Sequence, residues 1–298
     1  MHLIPQNIKD RIFNIFLYFI MINVIIVTLY PFWNCLVGSL NEGFDYIKGG
    51  VYFFPRKFTL ENYKIVLRDD VIMSSYRVTI LRTIIGTATH VIFTAVFAYA
   101  YSRKILKGKT FYMIFCLITM YFGGGLIPQY ILYKQLNILN TFWVYIIPGL
   151  LSFWHVIILQ AFFRGIPDSL SESAMMDGAN EYVICWKIIM PLAKPVLAAI
   201  ALFTGVGHWN SYMDSMMFTT SKSLQTVQVY LMRIIKTQEM ATQMANEAGQ
   251  DILDGGGKVN AVTIQLATMM VTTIPIIFIY PFMQKYFVKG MMVGAIKG

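Results

Sequence analysis

Residues 12–37 read IFNIFLYFIMINVIIVTLYPFWNCLV, a stretch without a single charged side chain. A helix rising ~1.5 Å per residue crosses a hydrocarbon core of roughly 30 Å in about 20 residues, so this run is long enough to span a bilayer. It is too long for the apolar part of a secretory signal, and no small-residue cleavage site follows it, so it is expected to stay as a first span. Five further apolar runs follow, at residues 78–101, 111–133, 142–163, 196–213 and 261–283. Helix is the expected state of each, because an open strand in lipid leaves backbone N–H and C=O groups unpaired. The sequence therefore predicts an all-α membrane protein with six transmembrane helices.

The composition agrees. Of 298 residues, 57% are hydrophobic and only 13% charged, with a mean hydropathy of +0.59, too apolar for an ordinary soluble domain. The net charge of +9 does not point to nucleic acid, since the basic residues flank the apolar runs and form no stripe with interleaved exposed aromatics. Cys35, Cys116 and Cys185 show no paired spacing, which argues against a disulfide framework or a metal site.

Orientation is read from the basic residues beside the spans. Arg103, Lys104, Lys107 and Lys109 form a compact cluster without an acid between the second and third spans, which places that loop in the cytoplasm. Six spans then put both termini inside, where Lys9, Arg11, Lys285, Lys289 and Lys297 lie. Counting every Lys and Arg balances the two sides, because the 41–77 loop is also basic, so the compact cluster carries the assignment. The expected organisation is an N-terminal part, 1–77, with the first span and first outer loop, and a core, 78–298, with five spans. The core includes a cytoplasmic loop at 167–191, an outer loop at 214–260 and a cytoplasmic tail at 284–298.

The 167–191 loop carries the most specific pattern: Glu172-Ser173-Ala174-Met175-Met176-Asp177-Gly178-Ala179, then Ile188-Ile189-Met190-Pro191. It predicts a helix, a glycine turn and a second helix. Ser169 and Glu172 have capping-box spacing, Asp168 suits the positive end of the helix dipole, and Gly178 stands where the chain leaves the helix with positive φ. Pro191 and Pro195 are expected to start the next span.

This spacing resembles the EAA signature, EAA-x3-G-x9-I-x-LP, of bacterial ABC importer permeases. Ser173 replaces an alanine and Met190 a leucine. From residue 78 onward the chain is similar to the maltose-type carbohydrate permeases, with Asn140-Thr141, Trp209-Asn210 and the C-terminal Gly294-Ala295-Ile296-Lys297-Gly298. Leu126-Ile127-Pro128 and Tyr133-Lys134 bring it nearest to the complex-oligosaccharide branch. The resemblance implies the type I ABC importer permease fold in a bacterial plasma membrane. It implies a second permease subunit, two ABC ATPases that hydrolyse ATP with Mg, and a solute-binding protein outside. In such a complex Glu172 to Ala179 and Pro191 would couple to the ATPase, with Met175 and Met176 as an adaptable apolar knob, and Gly294, Lys297 and Gly298 would touch it from the tail. The cargo implied is an oligosaccharide, complex or acidic polysaccharide fragments included; a polyol or a glycerol phosphate is the alternative.

Polar residues inside spans usually face the protein interior or a water-filled path. Trp209, Asn210 and Tyr212 at the outer end of the fifth span combine aromatic and hydrogen-bonding groups of the kind that recognise sugars, although Trp209 equally suits an aromatic belt. Gly124, within Gly123-Gly124-Gly125, is expected to loosen the third span, to open a path or to allow close packing. His90 and His155 are expected to bond across helices. Arg82 is expected to snorkel to the interface.

Other functions fit less well. Gly255-Gly256-Gly257-Lys258 is followed by Val259 and lacks the upstream glycine of a phosphate-binding loop, so ATP hydrolysis must lie on another chain. An ion-coupled transporter ordinarily carries intramembrane acids, and none falls within the six runs. The isolated His residues lack the pairing of a catalytic or metal site, so neither a catalytic residue nor a bound cofactor is expected.

Overall fold

The computed structural model describes residues 8–247 and 260–295. Among them helices dominate, and the nearest approach to a sheet is one isolated bridge between Asn41 and Phe58. Three helices are long and apolar enough to cross a membrane, and six spans result if each of three bent helix pairs counts as one.

The chain divides into two compact units. The first comprises residues 1–69 and 233–273. Its helix α1, Ile8–Ser39, exposes apolar side chains over most of its length, Phe13, Phe16, Phe19 and Val27 among them, and becomes buried at Val37, Gly38 and Ser39. Short helices α2, Gly43–Ile47, and α3, Glu61–Arg68, follow. Fully buried Asn62 ties this unit together: it donates to the carbonyls of Ser39 (2.9 Å) and Asn41 (3.0 Å) and accepts from Thr263 Oγ1 (2.9 Å). Gly38 permits the closest approach, since a Cβ there would sit 2.5 Å from Leu266.

The second unit comprises residues 70–232 and 274–298. Helix α4, Asp70–Ser102, is its axis and begins well before the expected residue 78. The third expected span is broken: α5, Lys109–Tyr121, and α6, Leu126–Gln135, meet at 114° across residues 122–125, with Gly125 at φ +85°. Glycine is the residue that adopts this conformation without strain. The fourth is bent by 46°, with 3-10 turns over Phe142–Tyr145 and Ile147–Gly149 before α7, Phe153–Arg164. Pro148 cannot donate to a regular helix there.

After α8, Asp168–Met176, and a turn, the chain re-enters helix at α9, Glu181–Val183, passes through π-helical turns over Ile184–Ile189 and continues as α10, Met190–Leu192. It bends by 78° into α11, Lys194–Asn210, with Pro195 in the first turn. Helices α12, Met213–Phe218, and α13, Val227–Glu247, precede α14, Ala261–Ala295, which is longer than the expected 261–283. The core joins α4, α7, the π-helical turns and α11 through Ala98, Val156, Leu159, Ile184, Ile189 and Ile200.

Candidate functional site

Two polar assemblies sit on α4, and both belong to the second unit. From Arg82 to Tyr99 the helix rises about 26 Å at ~1.5 Å per residue, so they are well separated.

The first surrounds the 167–191 loop. Helix α8 closes in a Schellman turn: the N–H of Gly178 bonds the carbonyl of Met175 at 3.0 Å and the N–H of Ala179 that of Ala174 at 2.9 Å, with Gly178 at φ +85°. The expected glycine turn is therefore present. The capping box is not, because Pro167 occupies the N-cap, no side chain caps this end, and Ser169 lies inside the first turn. Asn180 caps the following helix instead, its Oδ1 accepting from the N–H of Val183 at 2.9 Å. Sequence reading missed this residue, although an Asn two positions after a turn glycine is a recognisable helix start.

Ala174 and Ala179 pack against the core, while Met175 is 43% and Met176 89% exposed. An unbranched thioether held in the open can adapt to a partner surface. The loop is pinned to residues 102–109: Arg103 pairs with Glu181 (2.9 Å) and donates to Ser171 Oγ (3.3 Å), and Lys104 pairs with Asp168 (2.7 Å). Tyr99 donates to the Glu181 carboxylate. The Lys104 ammonium holds the Asp168 carboxyl below its ordinary range. A cleft of about 680 Å³ lies among these groups, walled by Tyr99, Arg103, Glu172, Met175 and Ile189. Pro191 stands in α10, behind the loop.

The second assembly centres on Arg82, which is 1% exposed. It does not snorkel. Its Nη1 and Nη2 bond Asp214 Oδ1 and Oδ2 at 3.2 and 2.5 Å, Nη1 also donates to the Ser211 carbonyl at 3.3 Å, and the guanidinium lies 4.5 Å from the Tyr145 ring centroid. A buried cation found a counter-ion at the start of α12, one residue past the expected end of the fifth span. Tyr145 in turn donates its single hydroxyl proton to the Leu224 carbonyl (2.6 Å), and the same oxygen lies 3.0 Å from Ser215 Oγ. His90 Nδ1 donates to the Gly149 carbonyl at 2.6 Å, which leaves its Nε2 to accept from His155 Nδ1 at 2.8 Å. The expected bond between these histidines is present. All of these groups except Ser215 and Leu224 border a cavity of about 420 Å³, together with His208, Thr204 and Phe218.

The other expected path residues fall elsewhere. Trp209 is 6% exposed, packs edge-on against Tyr76 (6.2 Å between centroids), and borders an apolar groove rather than this cavity. Asn210 is exposed at the end of α11 and Tyr212 half-buried just beyond it. Gly124 is exposed in the break between α5 and α6. Gly294 lies in the last turns of α14, whereas Lys297 and Gly298 lie outside the described residues, as does most of the 248–260 return. Among the described residues no cluster of His, Cys, Asp or Glu could hold a metal ion.

Apolar helices long enough to cross a membrane, joined to an exposed, Schellman-capped loop, mark an integral membrane protein. No family model matches the chain. It is 33% identical over 290 residues to the polygalacturonan/rhamnogalacturonan transport system permease protein YtcP of Bacillus subtilis (strain 168), an alignment covering 97% of this chain and 100% of the relative. It is 32% identical to protein LplC of the same organism, covering 100% of this chain and 99% of the relative. Among solved structures, a chain of a bacterial ABC transporter involved in the import of the acidic polysaccharide alginate matches with a TM-score of 0.85 and 30% identity, covering 96% of this chain and 100% of that one. The chain belongs to the carbohydrate ABC importer permeases. Its complex hydrolyses ATP on a separate subunit.

Proposed function

We propose that this permease carries acidic oligosaccharides inward, as half of a heterodimeric channel, and that its 167–191 loop is the lever driven by the ATPase. The partners in this reading are a second homologous permease, two ATP-binding cassette subunits that bind ATP and Mg, and an external solute-binding protein that meets the 221–260 segment. Six spans place both termini in the cytoplasm of a bacterial cell, the 78–298 core forms the translocation path, and Gly294, Lys297 and Gly298 extend the ATPase contact. Asn210 and Tyr212, at and just beyond the end of α11, and Gly124 in the break between α5 and α6, are assigned to the path, with Trp209, packed on Tyr76, supporting it from behind. The acidic cargo is inferred from the substrates of the relatives, polygalacturonan and alginate.

One observation carries the coupling role: α8 ends in a turn that packs the half-buried Ala174 and Ala179 against the core while leaving Met175 and Met176 open. Rigid attachment behind and an adaptable apolar surface in front suit a docking element that transmits force. ATP-dependent closure of the ATPase pair shifts the equilibrium between two transporter states only through such differential contacts. Gly178→Asp puts a side chain where φ is +85° and a charge beside the docking face. Uptake and transport-coupled ATP hydrolysis should be lost while membrane insertion persists; normal uptake by this variant contradicts the coupling role.

A further inference from the structure

The cavity around Arg82 holds hydrogen-bonding capacity that the chain itself leaves unused. Asp214 occupies the Nη1/Nη2 end of the guanidinium, yet Nε is buried without a partner. Thr204 Oγ1, also on the cavity wall, is likewise buried and unpartnered. His208 borders the same space; its ring lies against Gly86, where a Cβ would stand 2.5 Å from Nε2. Buried polar groups are ordinarily satisfied, so an orphaned guanidinium N–H and an orphaned hydroxyl on two residues that wall one cavity leave hydrogen-bonding capacity that a polar ligand can take up.

We infer that this cavity binds one uronic acid unit of the cargo, its carboxylate on the free Nε side of Arg82 and a ring hydroxyl on Thr204. A guanidinium offers five donors in a fixed planar fork and serves two carboxylates on different edges. Asp214 neutralises the arginine while the cavity is empty, which keeps a lone cation out of the low-dielectric interior. The part-exposed ring of Phe218 provides an apolar face for a sugar ring. The volume, about 420 Å³, falls within the roughly 300–1,000 Å³ of small-molecule sites. A neutral sugar would satisfy Thr204 but would lack the anion that matches the guanidinium edge, so the site selects for acid. Arg82 and Thr204 thereby become specificity residues.

The inference rests on the oligosaccharide-importer reading, and the test separates the two. The assembled importer, without its binding protein and held in lipid nanodiscs, is titrated with trigalacturonate and with the neutral galactotriose. The wild type should bind the acid at least ~10-fold more tightly than the neutral sugar. Arg82→Gln should lower affinity for the acid by ~10-fold or more and erase most of the preference, and Thr204→Val should weaken both sugars by a few-fold. Equal binding of the two sugars by the wild type, or unchanged acid affinity in Arg82→Gln, overturns the assignment. If Arg82→Gln does not assemble, Thr204→Val decides, and unchanged affinities there overturn it as well. Cellular uptake of trigalacturonate by wild type is measured in parallel. Uptake without the predicted binding rejects the cavity alone; absence of uptake rejects the importer reading for this cargo and the cavity with it.

Discussion

Lys104 and Asp168 meet at 2.7 Å with 88% and 61% of their side chains exposed, whereas Arg82 and Asp214 meet at 2.5 Å with 2% and 25% exposed. The first pair is screened by water and ions and stabilises little. Its value is positional, since with Arg103 and Glu181 it fastens the 167–191 loop to the end of α4. The second pair lies where an unpartnered charge is expensive, so each member depends on the other. Chemically similar pairs thus do different work: one fastens an exposed loop, and the other makes a polar interior tolerable.

The sharpest way to break this contrast is Arg82→Met, which leaves Asp214 without its counter-ion. A loss of about 3 kcal/mol is expected, at the low end for severing a buried pair because Asp214 keeps some hydration. Adding Asp214→Asn should restore part of it, measured by thermal unfolding in detergent. No recovery in the double variant shows that the two side chains act independently. Gly178→Ala comes next: the left-handed conformation costs an L-residue about 1–2 kcal/mol, so uptake should slow without vanishing. A rate equal to wild type removes the requirement for φ +85° at this turn.

The smallest effect belongs to the exposed pair. Asp168 has its carboxyl pKa lowered by Lys104, so its link is present above the ordinary carboxylate range, near ~4, and fades as pH falls through the lower folded value. Lys104→Ala should leave thermal stability almost unchanged at neutral pH and reduce the salt sensitivity of loop protection in hydrogen exchange, the Arg103–Glu181 pair keeping the remainder. A large stability loss in this variant would place the pair with Arg82 and Asp214 instead.

Sequence legibility differed between the two assemblies for the same physical reasons. The 167–191 loop is local: Gly178, Ala174, Ala179 and Pro191 lie within one continuous stretch, so their spacing alone predicts the turn. Its capping box failed because spacing cannot tell which residue leaves the extended conformation last; Pro167 does, and Asp168 is engaged by Lys104 from another loop. The Arg82 network is non-local. Its members come from α4, the 3-10 turns near Tyr145, α11 and α12, and apolar periodicity carries no information about which polar residues face one another. One signal was available: an arginine inside an apolar run needs an acid, and Asp214 stands just past the end of another. The bends at residues 122–125 and near Ala193 were foreshadowed by Gly123-Gly124-Gly125 and by Pro191 and Pro195, though their angles depend on tertiary packing.

What the exposed Met175 and Met176 touch decides the coupling role. Met176→Cys, in a chain otherwise free of cysteine, should form a cross-link to the ATPase subunit in native membranes with a short bifunctional thiol–amine reagent, and ATP should change its yield. Failure to cross-link in an assembled, ATP-hydrolysing complex would show that the 167–191 loop does not dock on the ATPase, and would contradict the account.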